Sequence, residues 1–250
     1  MKIAVVTGAS SGIGREFARQ ISKKYGKLDE IWLIARRKER MTELEQELRL
    51  NVRIFAMDLT KKDDMDQFAA YIEESKPDIK LLVNCAGYGK IGRVDQIPVE
   101  EQCGMVDLNC TALINFTGIC LPYISSHSRI INIASAAAFS PQPNFAVYAA
   151  SKAFVLSYSR ALNVELKSRK ITVTAVCPGP VDTEFFRVAK GENETASFKK
   201  SMMSQPEKVV EQAVKDAALG NEMSIYGVAM RLAKGATKVL PQKVIMNIFK

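Results

Sequence analysis

The segment Lys2–Gly14 reads KIAVVTGASSGIG, so that an apolar run rich in Val and Ile passes directly into a turn rich in Gly and Ser. The apolar run is typical of a buried β-strand. The glycines favour a tight turn, and the residues from Gly12 onward have a helical pattern. The free N–H groups at a helix N-terminus attract anions, so the segment predicts a site for a phosphate group.

Outward from this segment, short apolar runs alternate with longer amphipathic stretches. Strands are predicted at Lys2–Thr7, Glu30–Ala35, Val52–Met57, Lys80–Asn84, Arg129–Ala134 and Ile171–Cys177, with a short one near Ser224–Tyr226. Helices are predicted at Gly12–Tyr25, Arg37–Leu50, Lys61–Ser75, Glu100–Ile124 and Phe145–Ser168. The alternation predicts an α/β fold: a single-domain, Rossmann-type, doubly wound parallel sheet of about seven strands with helices on both faces, spanning residues 1–250.

Composition argues against several classes of protein. The chain has 250 residues, of which 47% are hydrophobic and 25% charged, and neither end resembles a targeting signal or a membrane span, so we expect a cytoplasmic protein. The net charge of +8 comes from scattered lysines and arginines, which disfavours nucleic acid as a partner. Five cysteines without CxxC spacing and a single histidine, His127 in a polar turn before a strand, lead us to expect no metal site.

The end of the second predicted strand bears on the choice of dinucleotide. Leu33–Arg37 reads LIARR, and Arg36 follows Gly14 by 22 positions, about the interval between a glycine loop and the residue that contacts the adenosine ribose. An acid there favours NAD, whereas an arginine accommodates the 2′-phosphate of NADP. Arg15 would add a second cation. The sequence predicts NADP(H), with NAD as the alternative; otherwise these arginines only solvate the start of a helix.

Several motifs in a fixed order resemble the short-chain dehydrogenase/reductase family over roughly residues 2–185. TGASSGIG at Thr7–Gly14 is similar to the family's TGxxxGxG. Asp58-Leu59 is similar to the pair that contacts adenine, and NCAG at Asn84–Gly87 resembles NNAG, with Cys85 replacing the second Asn. Together with Arg15 and Arg36, the cofactor contacts that this resemblance implies are Gly8, Ser10, Ser11, Gly12, Ile13, Gly14, Asp58, Leu59, Asn84, Ala86, Gly87, Tyr148, Lys152, Pro178, Gly179, Val181 and Thr183.

YAASK at Tyr148–Lys152 resembles the YxxxK motif of the same family. The two side chains share a helical face, and an ammonium beside a phenol lowers the phenol's pKa and favours proton transfer near neutral pH. The alternative is an exposed helical Tyr–Lys pair that takes part in no reaction. The resemblance implies that Ser135 binds the substrate oxygen, Tyr148 transfers its proton, Lys152 lowers the Tyr148 pKa and holds the nicotinamide ribose, and Asn109 positions a water.

Beyond residue 185 the resemblance gives less guidance. Residues 185–204 have the composition of a mobile substrate lid. The tail Gly227–Lys250 contains five cations and no acid, interleaved with apolar residues. Such a basic amphipathic tail would contact an anionic membrane, cover the substrate mouth, close the fold or form a dimer contact.

We therefore expect an oxidoreductase that transfers a hydride between NADP(H) and a carbonyl or alcohol substrate. The expected substrate is a lipophilic ketone or aldehyde, such as a 3-oxoacyl, steroid-like or small carbonyl compound, because five aromatic residues fall near the family's pocket: Tyr88, Phe139, Phe145, Phe185 and Phe186. The alternatives are an NAD-linked alcohol dehydrogenase and a non-catalytic dinucleotide-binding redox sensor. We expect a homodimer.

Overall fold

Seven parallel strands form one sheet in the computed structural model, which describes residues 1–190 and 203–248. The strands are β1 (Lys2–Thr7), β2 (Glu30–Ala35), β3 (Asn51–Ala56), β4 (Asp78–Asn84), β5 (Ile124–Ile133), β6 (Thr172–Val176) and β7 (Met223–Ser224). Their order is β3-β2-β1-β4-β5-β6-β7, and every neighbouring pair is parallel. The predicted fold class is confirmed.

Helices cover both faces of this sheet. They are α1 (Gly12–Lys24), α2 (Lys38–Glu45), α3 (Lys62–Ser75), α4 (Val99–Val106), α5 (Ala112–Cys120), α6 (Ala146–Glu165), α7 (Glu184–Lys190), α8 (Pro206–Ala218), α9 (Val228–Val239) and α10 (Gln242–Ile248). Neighbouring residues of a strand point to opposite faces. Trp32 accordingly packs into a cluster with Phe68 of α3 and Phe116 of α5, while Leu33 packs with Phe17 of α1 on the other face.

The second helix is shorter than the sequence predicts. The prediction was Arg37–Leu50, but α2 ends at Glu45. The Ser22 hydroxyl accepts hydrogen bonds from the backbone N–H groups of Arg49 (2.6 Å) and Leu50 (3.2 Å). These bonds hold the chain in a turn that leads into β3, so a helical continuation would lose them.

The predicted helix Glu100–Ile124 is interrupted. A π-helical turn at Asp107–Thr111 separates α4 from α5, and a 3-10 turn follows at Leu121–Tyr123. By length and composition alone, Val99–Tyr123 could cross a membrane. Its Phe116 is fully buried against the sheet, as in the core helix of a globular domain.

The fifth strand begins five residues earlier than predicted, so that His127 lies inside it rather than in a turn before it. His127 has a φ of 63°, and its N–H donates to the carbonyl of Lys170 (3.0 Å). The register with β4 shifts at this point, because Ile79 pairs with Ile124 whereas Leu81 pairs with Arg129. The polar segment is therefore an irregular part of the strand.

A buried polar network joins β4, β5, α5 and α6 beneath the carboxyl ends of the strands. The side-chain amide of Asn84 donates to Thr117 Oγ1 (2.9 Å) and to Asn132 Oδ1 (2.8 Å). Asn132 Nδ2 in turn donates to Ser159 Oγ (2.9 Å). Both amide hydrogens of Asn84 thus have acceptors, as the burial of all four side chains requires.

We expect Thr117→Val to lower the free energy of unfolding by about 1–3 kcal/mol, because it keeps the shape of the side chain and leaves one buried N–H of Asn84 without an acceptor. Chemical denaturation measures the change. Thr42→Val, at an exposed position of α2, is the matched control and should change stability by less than about 0.5 kcal/mol. A Thr117→Val protein as stable as the parent would contradict the role of the network.

Candidate active site

A cavity of about 1230 Å³ opens at the carboxyl ends of the central strands, where the strand order reverses between β1 and β4. Open α/β sheets bind ligands at this position. Most of the predicted site residues line it: Gly8, Ser10, Ser11, Gly12, Ile13, Gly14, Arg36, Asp58, Leu59, Ala86, Gly87, Ser135, Tyr148, Lys152, Pro178, Gly179, Val181 and Thr183. Arg15, Asn84 and Asn109 do not.

The glycine loop between β1 and α1 has the conformation that its sequence requires. Gly8 and Gly12 have φ values of 67° and 52°, which side chains other than glycine rarely adopt. A Cβ atom on Gly14 would lie 2.3 Å from the Gly8 carbonyl oxygen, too close for any side chain. The three glycines therefore bring bare backbone to the start of α1, where a phosphate group would bind.

Thr7, the first residue of the glycine motif, joins the two halves of the site. Its hydroxyl oxygen accepts hydrogen bonds from the backbone N–H groups of Cys85 (3.0 Å) and Ala86 (3.1 Å) after β4. A Cβ on Gly8 would lie 2.9 Å from the Ala86 nitrogen. The sequence analysis did not assign this role to Thr7.

Two arginines lie at the adenosine end of the cavity. The side chain of Arg36 is 74% exposed, and its Nη1 lies 3.8 Å from a carboxylate oxygen of Asp58. Arg37 donates from Nε and Nη2 to Ser10 Oγ, at 3.4 and 3.2 Å. Arg36 was predicted to meet the 2′-phosphate; Arg37, which also lines the cavity, was not assigned to the site.

The prediction that Arg15 adds a cation to this site is wrong. Its Nη2 donates to Glu47 (2.8 Å), and its Nη1 lies 3.9 Å from Glu43. Neither carboxylate lines the cavity, so the Arg15 guanidinium is neutralised outside it. The prediction that Asn84 lines the cofactor site also needs correction. Its side-chain amide donates to Thr117 and Asn132 in the buried network and does not reach the surface of the cavity.

Ser135, Tyr148 and Lys152 meet at the end of β5, as predicted. Tyr148 and Lys152 lie four residues apart on α6 and are 7% and 5% exposed. Lys152 Nζ donates to the carbonyl of Ile133 (2.8 Å) and lies 5.7 Å from the centroid of the Tyr148 ring. The three side chains thus form one polar cluster in the wall of the cavity.

Asn109 lies behind this cluster, in the π-helical turn. Its Nδ2 donates to the Tyr88 carbonyl (2.9 Å) and to Ser151 Oγ (3.0 Å), while its Oδ1 accepts from the Tyr88 N–H (3.0 Å). A Cβ on Gly87 would lie 2.7 Å from Asn109 Oδ1 and 3.3 Å from Lys152 Nζ. Asn109 and Lys152 therefore both lie close to Gly87, and position 87 has no room for a larger side chain.

Burial moves the pKa values of the two central groups in opposite directions. Desolvation raises the pKa of Tyr148 to about 12, although a hydrogen bond with Ser135 opposes this. Desolvation lowers the pKa of Lys152 to about 8. The expected lowering of the Tyr148 pKa by Lys152 is not found in this structure, because the ammonium is directed to the Ile133 carbonyl and burial dominates.

Aromatic side chains surround the tyrosine. Tyr148 stacks on Phe145 with ring centroids 4.2 Å apart, and Phe185 of α7 lies 5.3 Å from it. All five aromatic residues named from the sequence line the cavity. A Cβ on Gly89 would lie 2.8 Å from Tyr148 Cδ2, so this glycine leaves room for the ring.

The C-terminal tail forms part of the cavity wall, which sequence reasoning left as one of several alternatives. The lining side chains from α9 onward are Met230, Ala233, Ala236, Thr237, Leu240 and Ile245. The opposite side of α9 is exposed at Val228 (72%), Leu232 (69%) and Val239 (83%). The tail therefore lines the cavity with one side and leaves an apolar stripe on the other.

The predicted lid is described only at its two ends. The first end is α7, and at the second Ser204 pairs with Val181, with Ser204 N–H donating to the Pro180 carbonyl (2.9 Å). Residues 191–202 of the predicted lid lie outside the described residues. Within the described ranges, no group of three His, Cys, Asp or Glu side chains could hold a metal ion.

Comparison with known proteins agrees with this geometry. The sequence profile of the family described as short chain dehydrogenase matches residues 2–194. The chain belongs to the short-chain dehydrogenase/reductase family. Sulfoacetaldehyde reductase 2 of Chromohalobacter salexigens is 34% identical over 204 residues, covering 78% of this chain and 79% of the relative.

Solved structures of this family show the same fold. A short-chain dehydrogenase from Sphingobium yanoikuyae, in complex with NADPH, has a TM-score of 0.79 and 27% identity, with 97% of each chain covered. The 3-ketoacyl-(acyl-carrier-protein) reductase of Brucella melitensis, complexed with NADH, has a TM-score of 0.76 and 26% identity, with 90% of this chain and 95% of that chain covered. This chain is therefore an oxidoreductase of the family.

We expect Lys152→Met to raise the free energy of unfolding by about 1–3 kcal/mol at pH 7, because it removes a buried ammonium. Between about pH 8 and the ordinary value of 10.5, the folded protein holds fewer protons on Lys152 than the unfolded chain does. The parent therefore gains stability from this group as pH rises through that window, and the advantage of the variant shrinks.

Urea denaturation of parent and variant from pH 7 to 10 measures this difference. Lys167→Met removes an exposed ammonium and is the control. A Lys152→Met protein less stable than the parent at pH 7, or an advantage independent of pH, would show that burial of Lys152 is not costly.

Proposed function

We propose that this oxidoreductase reduces the carbonyl group of an apolar ketone or aldehyde, with NADPH as the hydride donor. The observation that carries the proposal is the convergence of Ser135, Tyr148 and Lys152 on one apolar cavity that also contains the glycine loop and Arg36. A proton donor, a cation and a dinucleotide site within one cavity are the parts that carbonyl reduction needs.

The residues present fit a phosphorylated dinucleotide. The glycine loop offers the N-terminus of α1 to a pyrophosphate, and Asp58 and Leu59 line the end where an adenine would lie. Arg36 and Arg37 supply donors for a 2′-phosphate, and Arg37 also donates to Ser10 Oγ of the glycine loop. Since structural relatives bind either NADPH or NADH, the preference for NADP rests on these arginines.

When bound, the cofactor supplies a hydride to the carbonyl carbon. Ser135 would donate a hydrogen bond to the carbonyl oxygen, and Tyr148 would transfer its phenolic proton to that oxygen as the alcohol forms. The Lys152 ammonium would stabilise the negative charge left on Tyr148. Asn109, beside Lys152, would position a water that returns a proton to the site.

The raised pKa of Tyr148 keeps on the phenol the proton that reduction of a carbonyl requires. At neutral pH a phenol with a pKa of about 12 is protonated, which is the form that donates to a carbonyl oxygen. Oxidation of an alcohol would need the phenolate. Arg36 and Arg37 favour the proposal over an NAD-linked alcohol dehydrogenase, and the complete Ser–Tyr–Lys set favours it over a redox sensor.

The walls of the cavity support an apolar substrate class. The sulfoacetaldehyde reductase named above acts, by its name, on a small anionic aldehyde. Here Tyr148 is flanked by Phe145 and Phe185, and the tail adds Met230 and Leu240. Burial of apolar substrate surface against such walls favours binding by about 25 cal/mol per Å². A homodimer and a cytoplasmic location stay predictions, and contact of the tail with an anionic membrane stays one alternative.

Tyr148→Phe keeps the ring and removes the proton donor, so we expect NADPH binding to change little while kcat falls by about 100-fold or more. NADPH fluorescence titration and steady-state reduction of an accepted ketone measure the two quantities. Tyr123→Phe, which lies outside the cavity lining, is the matched control. Retention of most of the activity in Tyr148→Phe would refute the assigned proton donor.

Arg36→Asp replaces a donor to the 2′-phosphate with a repelling charge, so we expect the Kd for NADPH to rise roughly tenfold while that for NADH stays the same or falls. Arg160→Asp makes the same charge change at an exposed position of α6 and should alter neither value. Equal affinities of the parent for NADPH and NADH would refute the cofactor proposal, whatever the variant does.

A further inference from the structure

The first residue of α7 places a carboxylate against the basic end of the cavity. Glu184 accepts from Arg37 Nη1 at 3.1 Å and from Arg40 Nη1 at 2.6 Å. Arg40 belongs to the first turn of α2, so the two ion pairs connect α2 to α7 across the mouth of the adenosine site. The Glu184 side chain is 30% exposed and lines the cavity.

The same guanidinium of Arg37 also donates to Ser10 Oγ in the glycine loop. A guanidinium has five N–H donors in one plane, so Arg37 can bind an anion between Ser10 and α2 only with the donors that Glu184 does not use. A phosphate and a carboxylate are alternative partners for such a fork. Arg40 and Arg37, in that order, lower the pKa of Glu184, so the carboxylate is charged at neutral pH.

We propose that Glu184 is an internal competitor of the cofactor's 2′-phosphate, and thereby a residue that sets the selectivity between NADPH and NADH. In the absence of a 2′-phosphate, the Glu184 carboxylate occupies donors of Arg37 and Arg40. A 2′-phosphate at Arg36 and Arg37 takes these donors and repels the carboxylate. The inference rests on the proposed NADP site. It adds Glu184, 147 positions from Arg37 in the chain, as a residue that weakens binding of the 2′-phosphate there.

The exchange also connects cofactor identity to the substrate side of the cavity. Glu184 is followed by Phe185, whose ring lies 5.3 Å from that of Tyr148. NADH leaves the ion pairs of Glu184 in place, whereas the 2′-phosphate of NADPH competes with Glu184 for the same arginine donors. The start of α7 is thus held to α2 more strongly with the unphosphorylated cofactor.

Glu184→Gln tests the competition, because it removes the negative charge and keeps the size of the side chain. We expect the Kd for NADPH to fall by about threefold, since two exposed ion pairs each contribute little, while the Kd for NADH changes by less than about twofold. Calorimetric titration of the full chain with each nucleotide measures both values at the same ionic strength.

The chain contains a matched control. Glu47 also bridges two arginines, accepting from Arg15 (2.8 Å) and Arg19 (2.6 Å), but it lies outside the cavity lining. Glu47→Gln loses the same charge and likewise its contacts with two arginines, so it should leave the ratio of the two Kd values unchanged. A selective gain in NADPH affinity in Glu184→Gln alone supports the competition.

Two results would overturn the inference. If Glu184→Gln weakens NADPH and NADH equally, Glu184 is a clamp that retains either cofactor. If Glu47→Gln raises NADPH affinity as much as Glu184→Gln does, the effect is one of net charge. The parent's own ratio separately tests the proposed preference for NADP, because the change in that ratio on substitution is measured whether the parent prefers NADPH or not.

Discussion

The contact between the ends of β1 and β4 is the constraint on which the site depends. These strands are neighbours in the sheet, but the chain continues from them to opposite sides, so a crevice opens between the two connections. The Thr7 hydroxyl closes the base of this crevice by accepting the N–H groups of Cys85 and Ala86. Because Gly8 has no side chain, the glycine loop can lie directly against the segment that carries Gly87. The two halves of the cavity, one for a dinucleotide and one for chemistry, therefore share a wall.

Chemistry in this cavity requires polar groups where the fold would otherwise place apolar ones. Tyr148 and Lys152 are nearly buried. Desolvation raises the pKa of Tyr148 and lowers the pKa of Lys152, so burial favours the neutral form of each side chain. The surrounding polar contacts hold the cluster in place: Lys152 donates to the Ile133 carbonyl, and Asn109 is fixed by Tyr88 and Ser151. The π-helical turn is the local irregularity that directs Asn109 toward Gly87. Stability is thus lost at the residues proposed to perform the chemistry, as is common in active sites.

The fold and the centre of the site could be predicted from sequence because their signals are local. TGASSGIG and YAASK each lie within one turn and one helix, so spacing alone determines which side chains meet. The errors have non-local causes. Arg15 binds Glu47, which lies 32 residues away in the sequence, instead of facing the site. The contact of Glu184 with Arg37 was not predicted, because 147 residues separate them. Asn84 was assigned by motif, but its partners Thr117 and Asn132 come from α5 and β5. The tail residues at the cavity carry no motif, so only the folded chain shows their position.

Carbonyl reduction in an apolar cavity can be tested most directly by following the nicotinamide absorbance of NADPH with the purified chain and a series of methyl ketones of increasing length. A small anionic aldehyde and NADH serve as comparisons in the same assay. We expect NADPH to be consumed, with kcat/KM rising as the ketone lengthens, because each additional methylene group is buried against the aromatic residues and the tail. Faster reduction of the small anionic aldehyde than of any ketone would contradict the apolar substrate class. If NADPH binds but no carbonyl compound causes its oxidation, the proposed carbonyl reductase activity is contradicted.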